Sequence, residues 1–432
     1  MTAEIAILNK LAVALATDSA VTISAGKQEE KIYDSADKLF DLSTRNPIGI
    51  MIYNGMQFMQ APLQVLISEY RSKSKPFNTV KEAAYDFLSY LDKWGADSPD
   101  AVLRASLERI IGAGLNAIRD RIKQKNEEAV DALDMEAFVA RFKAIPGEVI
   151  SAFENLIDRA DDSKFIGGRT IRFTKTRVDL IADIVHQHWG NDDPEIIGRL
   201  VNLAKKFLVK DIATPSHTGI VISGFGEKEK FPSLISFTID GIVFDHLKYS
   251  EINFVDIDRN GDRARVIPFA QKEMVERFLY GLDSNIERQI TIFCKQTVPE
   301  IRNQILAKLE MPEADQETLM KSAQDAERAF IEDLQNKRFE EIRSSSRSEI
   351  EGMVEFMPKP ELAKMAEALV NLTSIKRRVS RGMETVGGPI DVAVISRTEG
   401  FIWVKRKHYF STELNPRYLS RINSRENGAE DG

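Results

Sequence analysis

The chain has 432 residues, of which 43% are hydrophobic and 29% are charged, and its formal net charge is −7. This composition is that of a globular protein and excludes a disordered or collagen-like chain, while the acidic balance argues against a general nucleic-acid binder. The single cysteine, Cys294, excludes an internal disulfide and a thiolate metal cage and fits a reducing compartment.

No segment of the sequence predicts a membrane span or a secretory leader. The apolar runs fall short of the roughly 18 residues that a spanning helix needs. The N-terminal stretch has no basic region ahead of a cleavable apolar segment. We therefore expect a cytoplasmic protein that acts on neither membranes nor nucleic acid.

The first 95 residues combine predicted strands with two predicted helices. Short apolar runs such as AEIAIL, LAVALAT and IGIMIYN are bounded by turn residues and are apolar on both faces, which is typical of strands inside a covered sheet. Helices are predicted over 57–72 and 78–93, the second with Asn78 as its N-cap and with one apolar stripe.

The rest of the chain alternates between helical and strand-rich segments. A hairpin is predicted where PIDVAVISR and FIWVKRKHYF are joined by Thr-Glu-Gly. Leaving out two long helical stretches gives a core with strands in both halves, so we interpret those stretches as insertions. The predicted segments are the N-terminal half of the core (1–95), a helical insertion (96–215), central strands and a helix (216–283), a second helical insertion (284–354), a C-terminal helix and strands (355–410) and a tail (411–432).

Thr2 carries the strongest chemical signal in the sequence. Removal of the initiator Met, which a small second residue permits, would leave threonine as the first residue. Such a residue has a hydroxyl nucleophile and an α-amine with an unperturbed pKa of about 7.7–8.0, which can act as a general base near neutral pH. A neighbouring lysine ammonium would lower the pKa of that amine, and a carboxylate would hold the lysine. Asp18, at the end of a predicted strand, and Lys31 are candidates for these roles.

These residues and their surroundings resemble the proteasome β-subunit-like family of N-terminal nucleophile hydrolases. The chain gives Thr2, then AEIAILNKLAVALATDSAVT and KIYDSADKLF in family order, and GGPIDVAVISRTEG resembles a motif near the family's C-terminal end. IGIMIYNGMQ resembles the strand-to-helix junction that supplies an oxyanion-hole amide. The chain resembles a divergent bacterial-type member of this family. The resemblance covers roughly residues 1–95, 216–283 and 355–405, and neither insertion has a counterpart in the family.

The resemblance implies an α+β fold, a four-layer αββα sandwich with large helical insertions. It implies a threonine peptidase that hydrolyses peptide bonds, with Thr2 as nucleophile and base, Asp18 orienting the lysine, Lys31 as the ammonium, and the backbone N–H of Met51 as oxyanion donor. Cofactor and metal are not implied. The implied partners are a peptide or protein substrate and further copies of the chain in a ring or related homo-oligomer. An unfolding ATPase is compatible with such a ring, although no residue here identifies one.

The sequence departs from the family in the residues that support the amine. The family's Asp-x-x-Ser before Gly-Gly reads here as METV, with Met383 and Val386 in place of aspartate and serine. Glu384 or Thr385 could substitute if the register shifts by a residue. Two other functions therefore stay open. One is a catalytically inactive oligomeric scaffold that binds a partner through the insertions, and the other is an N-terminal nucleophile amidase acting on a small amide.

Three further patterns have simpler interpretations. DIDRNGD, residues 256–262, matches the start of a calcium loop but has Ile267 where the bidentate Glu is needed, so we favour a turn. His186 and His188 lie two apart in a helical segment, which would separate their side chains, and no metal site is predicted there. The charge-rich block 325–351 is typical of a solvated helix of the kind that often builds oligomer contacts.

Overall fold

The structure is a computed structural model that describes residues 2–24, 30–128, 135–190, 193–309, 312–380, 386–411, 413–418 and 420. It is a mixed α+β protein with antiparallel sheets, as predicted. The strands are β1 (Ala3–Asn9), β2 (Ala12–Thr17), β3 (Val21–Ser24), β4 (Glu30–Tyr33), β5 (Leu39–Asp41), β6 (Ile48–Asn54), β7 (Gln57–Phe58), β8 (Ala61–Pro62), β9 (Lys164–Phe165), β10 (Thr218–Gly224), β11 (Ser233–Val243), β12 (His246–Asp256), β13 (Ala264–Ala270), β14 (Asp391–Ser396) and β15 (Gly400–Lys405). The helices are α1 (Leu63–Ser72), α2 (Val80–Ala96), α3 (Asp100–Glu128), α4 (Met135–Asp158), α5 (Lys175–Trp189), α6 (Pro194–Val209), α7 (Glu273–Tyr280), α8 (Ser284–Leu306), α9 (Glu313–Asp333), α10 (Phe339–Val354) and α11 (Lys359–Val379).

The first of two compact units comprises residues 1–36 and 257–414. Its main sheet has the antiparallel order β13–β1–β2–β14–β15. The β14–β15 pair, with Ser396 opposite Gly400, confirms the hairpin predicted there. Helix α11 lies across β1, β2 and β14, and alternate residues of β1 and β2 form an apolar core against it. Because side chains alternate along a strand, Thr2 and Glu4 belong to the opposite face of this sheet.

Helices α8, α9 and α10 of the same unit lie within the predicted second insertion. Helices α8 and α9 run antiparallel as a helical hairpin, and a π-helical turn, Leu334–Arg338, joins α9 to α10. Arg302 of α8 pairs with Glu327 of α9 at 2.8 Å, and Arg343 of α10 pairs with Glu287 of α8.

The second unit comprises residues 37–256 and 415–432. Its sheet has the antiparallel order β5–β6–β10–β11–β12–β9, and α1 and α2 pack on it around a core of aliphatic and aromatic side chains. The predicted segment 1–95 therefore contributes strands to both units. The N-cap of α2 is Thr79, whose hydroxyl accepts the N–H of Glu82 at 3.1 Å, and Asn78 precedes it.

The helix predicted over 57–72 begins later than expected. Residues 57–62 instead form the short β7–β8 ladder, whose turn residues Met59 and Gln60 have φ values of 47° and 65°. Pro62 follows directly, and the residue before a proline is disfavoured in helical geometry. Helix α1 therefore starts at Leu63.

Helices α3 to α6 lie within the predicted first insertion and bury a hydrophobic core of their own. This core includes Phe165 of β9 and Val243 and Phe244 at the β11–β12 turn, so the bundle also packs on one end of the sheet. Among the described residues, no helix combines the length and apolar character needed to cross a bilayer.

A buried lysine connects this bundle to the sheet. Lys248 of β12 is 2% exposed, and its Nζ donates to the carbonyls of Phe207 and Ile212 at 3.0 Å each. The same ammonium lies 3.5 Å from Asp240 Oδ2. Burial lowers the pKa of Lys248 by more than the Asp240 carboxylate raises it.

We expect Lys248→Ala to lower the free energy of unfolding by about 3–5 kcal/mol, because it leaves the buried Asp240 charge without its ammonium. Urea denaturation measures this difference. The matched control is Lys73→Ala, which breaks the exposed Lys73–Glu69 pair and should cost no more than about 1 kcal/mol. Equal losses in both variants would contradict a connecting role for Lys248.

Candidate functional site

Thr2 is buried at the start of β1, with 4% of its surface exposed. Its carbonyl accepts the N–H of Gln271 at 3.1 Å. Its Oγ1 is also buried, and among the described residues it has no hydrogen-bond partner. A buried hydroxyl without a partner costs about 1–3 kcal/mol. Such a group in a native structure needs an explanation. The explanation we favour is that this hydroxyl takes part in a reaction.

Asp18 is fully buried and fixes the backbone next to Thr2. Its Oδ1 accepts the N–H of Ala3 at 3.1 Å, and its own N–H donates to the Ala3 carbonyl at 3.1 Å. Its Oδ2 accepts the N–H groups of Ala20 at 3.3 Å and Gly387 at 3.1 Å. The structure therefore brings Thr2 and Asp18 together, because Asp18 binds both polar groups of the residue that follows Thr2.

The Gly-Gly-Pro segment folds around the same carboxylate. The Gly387 carbonyl accepts the N–H of Ser19 at 3.1 Å, and the Ser19 hydroxyl donates to the Pro389 carbonyl at 2.5 Å. Gly388 has a φ of 76°, and a Cβ there would lie 2.5 Å from the Asp34 carbonyl oxygen. Only glycine fits position 388, which explains in physical terms why this residue precedes β14.

Ala270, which lies beside Thr2, has a strained backbone conformation. It ends β13 opposite Ala3 and has a φ of 59°, a left-handed conformation that costs a non-glycine residue about 1–2 kcal/mol. The next residue is Gln271, whose N–H binds the Thr2 carbonyl. The Gln271 side-chain oxygen accepts the Arg377 Nε at 2.9 Å. Strain of this kind concentrates at functional sites.

Glu4 is a candidate site residue that the motif comparison missed. It is 1% exposed, and its Oε1 accepts the Thr17 hydroxyl at 3.3 Å. It shares a sheet face with Thr2, about 7 Å further along the strand. The sequence did carry a signal, since glutamate is the one charged residue in the apolar strand AEIAILN and is rarely fully buried without a reason.

The structure places Lys31 apart from the buried Asp18. Lys31 lies in β4, which pairs with β3 in a separate two-stranded ladder, and its side chain is exposed. Its ammonium lies 5.1 Å from the centre of the Tyr33 ring. Water and salt screen an exposed charge. Lys31 is therefore a weak candidate for lowering the pKa of an amine at Thr2.

Lys38, in the second unit, is a buried lysine with the same local pattern. Both lysines precede an apolar–aromatic pair, in KIY and in KLF, so the sequence pattern does not separate them. Lys38 has 0% exposure, and its carbonyl accepts the N–H of Ile52 at 2.9 Å. Lysine is almost never fully buried unless its charge is paired or used. Burial, which only the structure gives, separates the two lysines, and Lys38 lies in the second unit whereas Thr2 and Lys31 lie in the first.

Met51 does not present an open backbone amide. It lies within β6, opposite Leu39 of β5 and Val221 of β10. The N–H of Ile52 points towards β5, where it donates to Lys38. Successive N–H groups of a strand point to opposite sides, so the Met51 N–H points into the β10 ladder. This position disfavours Met51 as the oxyanion donor.

The predicted substitutes for the missing supporting residues, Glu384 and Thr385, lie outside the described residues. Val386, which follows them, is completely buried. An apolar side chain therefore occupies the position where the resemblance implies a serine.

The DIDRNGD segment forms a turn, as predicted. Asp258 Oδ1 accepts the N–H groups of Asn260 and Gly261, and these two bonds lower the pKa of Asp258. The Asp258 N–H donates to the Asp262 carbonyl at 2.9 Å. Across the described part of the chain, no group of three His, Cys, Asp or Glu side chains is arranged to hold a metal ion.

Comparisons with known proteins add no family to this description. No protein-family model matches the chain, and no curated protein matches it. The functional hypothesis therefore depends on the residues and contacts described above.

The two buried side chains of the site should differ sharply in what they contribute to stability. We expect Thr2→Val to leave the free energy of unfolding unchanged or raise it by up to about 1 kcal/mol, because the hydroxyl has no partner to lose. We expect Asp18→Asn to lower it by about 2–4 kcal/mol, because an amide NH₂ would face backbone donors. Urea denaturation of both variants checks this. A larger loss for Thr2→Val than for Asp18→Asn would contradict these assignments.

Proposed function

We propose that this protein is a threonine-type peptidase resembling proteasome β-subunits, in which Thr2 becomes the first residue once Met1 is removed. One observation carries the proposal. The buried Thr2 hydroxyl, without a partner among the described residues, lies next to a backbone that Asp18 binds on both sides. A nucleophile must be held in a fixed position and be free to react, and this arrangement supports both requirements.

The reaction follows from the two groups that an N-terminal threonine carries. The Thr2 hydroxyl oxygen attacks the substrate carbonyl while the α-amine accepts the hydroxyl proton. The C–N bond then breaks, the amine returns the proton to the leaving nitrogen, and an ester between Thr2 and the acyl fragment remains. Water, deprotonated by the same amine, attacks this ester and restores the hydroxyl. Asp18 and Gln271 act as positioning residues through the backbone around Thr2.

Lys31, in the same unit as Thr2, is the lysine that the resemblance implies for lowering the pKa of the α-amine. Its side chain is exposed, and water and salt screen an exposed charge, so we expect its effect on that pKa to be modest. Met51 has no role in this mechanism, because its N–H points into the β10 ladder.

Membership in this family would also mean a four-layer αββα sandwich and a homo-oligomeric ring or related assembly. Each unit has an antiparallel sheet with helices packed on one of its faces, which is compatible with that architecture. The substrate would be a peptide or protein, and an unfolding ATPase would be a suitable partner for such an assembly.

One observation favours a second function, a catalytically inactive scaffold. Val386 is apolar and completely buried at a position where the resemblance implies a serine that supports the amine. A scaffold would need the fold and the insertions but no reactive threonine. An amidase acting on a small amide would keep the reactive threonine, and a panel of peptide and small-amide substrates separates it from a peptidase.

Intact-mass spectrometry with a threonine-directed β-lactone tests the proposal. We expect the purified protein to lack Met1 and to gain one adduct, and we expect Thr2→Ala to gain none. A chain that retains Met1, or a free Thr2 that never gains an adduct, would refute the peptidase and leave the scaffold.

The rate of the same labelling reaction tests Lys31. The rate should rise with pH through the pKa of the α-amine, because only the neutral amine accepts a proton. Because the side chain of Lys31 is exposed, we expect Lys31→Met to slow labelling at neutral pH by less than about twofold. A loss of about 10²-fold, with the rise moved to higher pH, would show that the Lys31 ammonium acts directly on the amine.

A further inference from the structure

Both polar groups of the peptide between Thr2 and Ala3 are bound by other parts of the first unit. Ala3 lies opposite Ala270 in the β1–β13 ladder, and beyond that pair the N–H of Gln271 donates to the Thr2 carbonyl at 3.1 Å. The N–H of Ala3 donates to Asp18 Oδ1 at 3.1 Å. The orientation of Thr2 therefore depends on Gln271 as much as on Asp18.

The contact from Gln271 follows a strained residue. Ala270 has a φ of 59°, a left-handed conformation that is unfavourable for a residue with a Cβ. Such a conformation persists only where the surrounding structure determines it. The β1–β13 ladder constrains Ala270 on one side. On the other side, the constraint must include Gln271 and the groups that its side chain contacts.

Arg377 binds the Gln271 side chain with two donors. Its Nε donates to Gln271 Oε1 at 2.9 Å, and its Nη2 donates to the same oxygen. A hydrogen bond from a charged donor is stronger than one between neutral groups. The guanidinium is also planar, so the directions of its N–H groups are fixed relative to one another. This pair of bonds holds the Gln271 side chain in one place.

Helix α11 directs Arg377 towards this position. The buried stripe of α11, which includes Ala366, Val370 and Thr373, packs on the sheet. At about 100° per residue, Arg377 lies within about 20° of the centre of that stripe, whereas Arg378 lies about 110° away. The structure agrees, since Arg377 is partly buried and Arg378 is exposed. Arg377 therefore continues the sheet-facing stripe of α11 past its apolar part.

We propose that Arg377 is a positioning residue for Thr2. Through Gln271, it fixes the Thr2 carbonyl and thereby the place from which the Thr2 hydroxyl and α-amine project. This inference rests on the proposed function and deepens it. A small displacement of a reacting group is enough to slow a reaction greatly, so the contact has a direct bearing on the rate.

The contact also supplies polar support that the sequence otherwise lacks near Thr2. The resemblance implies an aspartate and a serine where this chain has Met383 and Val386, both apolar. Arg377 and Gln271 belong to the same unit as Thr2 and come from α11 and the end of β13. They provide a charged group and an amide from two elements that the motif comparison did not consider.

The rate of β-lactone labelling tests the role of Arg377 in the reaction. We expect Arg377→Met to slow labelling by about 10–10²-fold, because Thr2 would be held less firmly. The rise of the rate with pH should keep its midpoint, since Arg377 acts through Gln271 and not on the amine. The matched control is Arg378→Met, which changes the neighbouring exposed arginine and should alter the rate by less than about twofold.

Further variants test whether Arg377 acts through Gln271. Gln271→Met removes the side-chain acceptor but keeps the backbone N–H, and it should slow labelling about as much as Arg377→Met. The double variant should be within about twofold of either single variant, because both changes break the same contact. Arg377→Lys keeps a cationic donor and should label at least about threefold faster than Arg377→Met. Effects that multiply in the double variant would contradict the proposed route.

Amide hydrogen exchange, measured by NMR, reports on the Gln271–Thr2 bond without any reaction. We expect Arg377→Met to accelerate exchange of the Gln271 N–H by about tenfold or more, while the Ala3 N–H, bound by Asp18, changes by less than about twofold. If the wild type never gains an adduct, the peptidase is refuted, and exchange still decides whether Arg377 holds Thr2. Equal Gln271 exchange in wild type and Arg377→Met, or equal labelling of Arg377→Met and Arg378→Met, would overturn the role of Arg377.

Discussion

The Asp18 carboxylate is the interaction on which the candidate site depends. Its oxygens accept backbone N–H groups from three separate segments, at Ala3, Ala20 and Gly387. One of these segments is 369 residues away in the sequence, so a single side chain joins the two ends of the unit at the point where Thr2 begins. A buried carboxylate is costly unless its oxygens are satisfied. The same bonds that meet this cost also define the position of Thr2.

Much of the fold could be predicted from local patterns. The strands β1, β2 and β6 are indicated by their apolar runs, and the hairpin before β15 is indicated by its turn residues. These patterns are local because short-range sterics and burial determine the strands. The start of α1 could not be predicted as well, since the β7–β8 turn uses left-handed conformations at Met59 and Gln60, which their residue types do not indicate. The division of the chain after residue 36 depends on long-range packing and leaves no local signal.

The candidate site shows more clearly that local sequence patterns do not reveal long-range packing. Thr2 and Asp18 could be proposed from the chemistry of an N-terminal threonine and from the order of the family-like motifs, and the structure brings them close through the antiparallel β1–β2 pair. Lys31 was selected from the resemblance, and the sequence could not show that its side chain is exposed whereas that of Lys38 is buried. The direction of the Met51 N–H could not be predicted for a related reason. The direction of a backbone N–H depends on strand register, and register is a property of the whole sheet.

The bundle of α3 to α6 has a consequence for how this protein could change over evolutionary time. Because most of the bundle's core comes from its own helices, we expect substitutions inside it to couple mainly to neighbours within the bundle. The residues around Thr2 and Asp18, in the other unit, are subject to separate demands of backbone geometry. The two parts of the chain can therefore diverge at different rates. Within the second unit, Lys248 limits this freedom, because it reaches from the sheet to the carbonyls at the end of α6 and changes on either side of it have to preserve the same contacts.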